Sequence, residues 1–79
     1  MNSSTLNNLK IGQKGKVIRI SGNPAIKRRL LDMGIVPNVE VKVEKLAPLG
    51  DPIDILVKGY HLTLRKEEAS SITVEVIEK

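Results

Sequence analysis

Asn23-Pro24-Ala25-Ile26-Lys27-Arg28-Arg29-Leu30-Leu31-Asp32-Met33-Gly34-Ile35-Val36-Pro37-Asn38 is the one helical signal in a sequence that otherwise alternates like β-strand, and it carries the densest basic charge of the chain. Asn23 can accept a backbone N–H bond at a helix start. Pro24 fits the first helical position, where its missing donor costs nothing, and Gly34 suits the left-handed residue that ends a helix. At about 100° per residue, Ile26, Leu30 and Met33 share one face with Arg29 at its edge. Lys27, Arg28, Leu31 and Asp32 point elsewhere. Pro37-Asn38 then has turn chemistry, with proline presetting φ and asparagine tolerating a positive φ.

On either side of this helix the pattern has a period of two. Residues 14 to 21 read as a strand with Ile18 and Ile20 on one face. Val39, Val41 and Val43 alternate with Glu40, Lys42 and Glu44, which gives a strand with one buried and one wet face. After the turn-rich loop Ala47-Pro48-Leu49-Gly50-Asp51-Pro52, residues Ile53, Ile55 and Val57 alternate again and form an antiparallel hairpin with the preceding strand. Gly59 breaks the run, and Tyr60, Leu62 and Leu64 form the next strand. Lys66 to Ser70 make a short helical turn, and Ile72, Val74 and Val76 the last strand. The expected fold is mainly β: a small, partly open barrel of about five antiparallel strands, with one α-helix inserted between the first and the second. With 79 residues, no linker and no repeat, residues 1–79 are expected to form a single domain.

Composition narrows the chemistry. Tyr60 is the only aromatic residue and there is no cysteine, so the core is aliphatic and no disulfide, thiolate nucleophile or thiolate metal site is available. The N-terminal residues lack the basic and apolar regions of a secretory signal and no apolar run reaches bilayer length, so a soluble cytoplasmic protein is expected. The net charge of +4 is segregated. Residues 1 to 31 hold seven basic and no acidic side chains (+7), whereas residues 32 to 79 hold six basic and nine acidic ones (−3). Such asymmetry suits an electrostatically steered contact with an acidic partner or a phosphate backbone.

The assembled pattern resembles the FeoA family of ferrous iron transport accessory proteins. The residues that carry the resemblance are Leu9 with Gly12 and Gly15-Lys16-Val17; Arg29-Leu30 and Asp32-Met33-Gly34-Ile35 with Pro37; Pro48 to Pro52; and Leu64-Arg65 with Glu68-Ala69 and Ile72. Asn38 departs from the family's usual glycine, and asparagine is the residue best able to replace glycine at a positive φ. The resemblance implies an SH3-like fold and a non-enzymatic cytoplasmic protein that acts with FeoB, the membrane ferrous iron transporter with a GTP-binding domain, and reaches the inner face of the membrane through that partner. Iron association is implied only in this way, and no cofactor is expected in the chain itself. Similar domains end iron-dependent repressors of the DtxR type, after helix-turn-helix and dimerisation regions that this chain lacks, so that reading would make it a detached fragment.

Other chemistries find little support in the residues. His61, the single imidazole, has no His or Cys partner, and a zinc or iron site needs three or four converging ligands, so no metal-ligating residue is assigned. No catalytic residue is assigned either. An arginine finger offered to a GTPase from Arg28, Arg29 or Arg65 competes with simpler roles, in which the Arg29 stem covers the core edge and Arg65 is salt-bridged to Glu67 or Glu68. One tyrosine cannot line a groove for proline-rich peptides. Small basic barrels can bind nucleic acid or another phosphate polyanion non-specifically, but aromatic stacking platforms are missing here. The remaining reading is protein binding, through Lys27, Arg28 and Leu31 on the exposed side of the helix together with Leu49 at the hairpin tip. Leu31 lies about 130° from the centre of the buried stripe, so it is either an exposed apolar anchor or a flank contact with Ile35 to Pro37. An open barrel edge also permits weak self-association.

Overall fold

Alternation places Val39, Val41 and Val43 inside, and in the computed structural model, which describes residues 3–77, all three are buried. The elements in chain order are β1 (Ser3–Thr5), a 3₁₀ turn (Leu6–Asn8), β2 (Lys14–Ile20), α1 (Pro24–Asp32), β3 (Glu40–Leu46), β4 (Ile53–Val57), β5 (Tyr60–Leu64), α2 (Lys66–Ala69) and β6 (Ile72–Ile77). The strands form one antiparallel sheet in the order β1-β6-β2-β3-β4-β5. Its inner face carries Val17, Val41, Val43, Ile53, Ile55, Val57, Leu64, Ile72 and Val74, joined by Leu30 from α1 and Ile35 behind it. The core is aliphatic, as the composition requires.

Most of the expected elements are present, and the differences have local causes. The sheet gains the short strand β1, whose polar residues Ser3, Ser4 and Thr5 owe their extended state to pairing with Glu75, Val74 and Thr73 of β6. Ile18 does not share the buried face with Ile20. The register of β2 against β6 shifts between Val17 and Arg19, so Val17 and Ile20 turn inward and Ile18 is left 46% exposed. An extra residue of this kind reverses the inside-outside pattern at one point in a strand. The helix ends where glycine chemistry places it, with Gly34 at φ +90°, and the turn into β3 puts Asn38 at φ +78°.

Candidate functional site

Local chemistry marks where α1 begins, and packing holds it in place. The Asn23 side chain accepts the Ile26 N–H at 2.9 Å and Pro24 occupies the first turn. Leu30 is fully buried, and Ile26 and Met33 are partly buried against the core. At the far end the Tyr60 hydroxyl donates to the Met33 carbonyl at 2.7 Å, tying the helix stop to the start of β5. The outward side of α1 is left to Lys27, Arg28 and Leu31, and Leu31 is 43% exposed.

Among the described residues Arg65 makes no ion pair with Glu67 or Glu68, and Arg29 at the edge of the apolar face has a partner that its place in the sequence did not disclose. Arg29 Nε donates to Glu68 Oε2 at 2.8 Å, although the arginine side chain remains mostly exposed. The other oxygen of the buried Glu68 carboxylate accepts the Arg65 backbone N–H at 3.0 Å, so Glu68 serves Arg65 through the main chain and not through its guanidinium. Reaching back from the third position of a short helix to the residue before it is a capping arrangement. Glu68 therefore fastens α1 to α2 through the Nε of Arg29. Glu68→Ala is expected to lower the unfolding free energy by about 1–2 kcal/mol, measured by urea titration, because the carboxylate serves two donors and is desolvated.

A second fastening reaches the hairpin loop. Asp51 Oδ1 accepts the Lys66 backbone N–H at 3.0 Å, so the loop between β3 and β4 is attached to the start of α2. Leu49, at the tip of that loop, is 89% exposed. The four residues expected to meet a partner thus all lie on the surface, three on α1 and one on a loop, and α2 is the element to which both are bonded. Among the described residues no hydrogen bond or ion pair links the loop tip directly to α1. Sequence reasoning missed Glu68 as this connector. The signal was present in its spacing of three from Arg65, but its partner Arg29 is distant in the chain.

His61 is exposed on β5, opposite Leu56. Among the described residues no group of three or more His, Cys, Asp and Glu side chains is placed to hold a metal ion. Among the same residues, no helix is long and apolar enough to cross a membrane.

Comparison with known proteins places this architecture. A family profile described as "FeoA domain" matches residues 4–76. The Fe(2+) transport protein A/Fe(2+) transporter FeoB fusion protein of Porphyromonas gingivalis is 35% identical over 72 residues, covering 91% of this chain and 8% of that much longer protein. Among solved structures, a FeoA-like protein from Clostridium acetobutylicum superposes with a TM-score of 0.91 at 43% identity, covering 100% of this chain and 92% of the other. The FeoA of Stenotrophomonas maltophilia, described as a prokaryotic SH3 domain protein and solved as a zinc complex, superposes with a TM-score of 0.80 at 30% identity, covering 91% of this chain and 89% of its own. On a domain profile and relatives that span nearly its whole length, the chain belongs to the FeoA domain family.

Proposed function

We propose that this chain is a non-enzymatic, cytoplasmic accessory of ferrous iron uptake that binds the cytosolic, GTP-binding portion of a FeoB-type membrane transporter and modulates it. The observation that carries this reading is the relative from P. gingivalis, in which a domain 35% identical to this chain belongs to one fusion protein with the transporter. Fusion keeps two proteins at a high effective concentration, which favours a contact between them. Ferrous iron is the transporter's cargo here and not a resident cofactor of the chain.

The contact surface in this reading is Lys27, Arg28 and Leu31 of α1, with Leu49 as an outlying apolar contact. An exposed leucine beside two cations suits an apolar pocket edged by acidic side chains, with the apolar anchor supplying affinity and the charges supplying rate and orientation. The test is calorimetric titration of the whole chain into the transporter's cytosolic portion. Arg28→Glu combined with Leu31→Ala is expected to weaken binding about tenfold or more. Both side chains are exposed, so the melting temperature should stay close to that of the parent chain. Equal affinity for the parent and the double variant would refute the surface, and no binding by either would refute the partner.

A further inference from the structure

The outer face of the sheet, on which the α1 surface does not draw, sets two like charges opposite each other. Register places Ile77, Lys14, Lys42, Leu56 and His61 directly opposite one another across β6, β2, β3, β4 and β5. The two lysines face each other. One position along, the Val43 N–H donates to the Gln13 carbonyl at 3.1 Å, which makes Lys14 and Lys42 a non-hydrogen-bonded pair, the kind whose side chains stand closest. Like charges directly opposite in a sheet are destabilising. Two residues away on the same face, Lys16 lies opposite both Glu40 and Glu75, each of opposite sign to it. The like-charged row is therefore a local exception.

Among the described residues, ion pairing of that row is slight. Among the described residues, Lys42 has only a 4.0 Å contact with Glu44, and Lys14 has no ion pair. Beside the pair lies an open groove of about 260 Å³ with Leu56, Gly59 and the backbone of Val41 along it and Lys14, Lys42, Lys58 and Glu40 around it. Lys58 sits in the two-residue turn of the β4–β5 hairpin, where it and Gly59 both have positive φ. That turn conformation matches the twist of the strands and holds the Lys58 backbone at the rim of the groove.

We infer that this groove binds an acidic peptide segment of a partner protein, seating an apolar side chain on Leu56 and placing carboxylates between Lys14, Lys42 and Lys58. Charge complementarity selects this occupant. Three lining cations against one lining carboxylate call for an anion, and the half-buried Leu56 calls for an apolar side chain beside it. No aromatic residue lines the groove to stack a base. The inference goes beyond the proposed role of α1 and does not rest on it, since its test needs no transporter.

The probe is a capped synthetic peptide of four glutamates around a central leucine, titrated into the whole chain while backbone amide shifts are followed. Saturable shifts are expected at Lys14, Lys42, Leu56 and Gly59, and are expected to be absent with the glutamine version of the peptide. In Lys14→Glu the peptide affinity should fall about tenfold or more while the melting temperature rises by about 2 °C, because the like pair becomes an opposite pair. A role limited to folding would not separate the two readouts in this way. Unchanged affinity in Lys14→Glu, shifts centred on α1 instead of the groove, or the same shifts from inorganic phosphate alone would each overturn the inference.

Discussion

Leu30→Ala is expected to lower the unfolding free energy by about 3 kcal/mol and the melting temperature by about 15 °C, measured by urea titration and thermal melting. Leu30 has no exposed surface and projects from α1 into the cluster formed by the sheet's inner face. Removing its outer carbons leaves a cavity that neighbours can fill only by moving the helix. The helix is not free to follow, because Arg29 is bonded to Glu68 and the Met33 carbonyl to Tyr60. Leu31→Ala provides the internal comparison. Next in sequence but 43% exposed, Leu31 should cost no more than about 0.5 kcal/mol on truncation. Similar losses at the two positions would mean that α1 does not present the faces described.

Gly34→Ala is the second large effect, expected at about 2–3 kcal/mol. Gly34 has φ +90°, a conformation that an L side chain rarely adopts, and a Cβ there would overlap the Tyr60 hydroxyl. The hydroxyl cannot withdraw freely, because it donates to the Met33 carbonyl at 2.7 Å. A double-mutant cycle separates the two causes. Tyr60→Phe alone should cost about 1 kcal/mol through the lost hydrogen bond. In that background Gly34→Ala should cost measurably less than in the parent chain, since the obstructing oxygen has gone. Strict additivity would assign the whole effect to backbone strain.

What the sequence disclosed follows from where each determinant resides. The helix start, the helix stop and the turn at Asn38 are written in adjacent residues, and the positive φ values at Gly34 and Asn38 match that chemistry. The alternation of Val39, Val41 and Val43 likewise reports a face directly. Ile18 was misread because the bulge between Val17 and Arg19 is defined against β6, far along the chain. The strand Ser3–Thr5 has no apolar pattern of its own and exists through the same partner. On the candidate surface, the helical angle was enough to expose Lys27, Arg28 and Leu31. It could not disclose that Arg29 is bonded to Glu68, a contact between residues 39 apart that only the closed fold creates. The opposition of Lys14 and Lys42 was illegible for the same reason, since it requires the register of β2 on β3.

In the proposed function the chain meets the transporter through the outward side of α1. The most direct measurement is a map of backbone amide shifts in the isotope-labelled chain as the transporter's unlabelled cytosolic portion is added. Changes concentrated on residues 27–31, with a weaker set around Leu49, are the predicted result. Changes confined to other surfaces, or a spectrum unaltered at saturating partner, would contradict it.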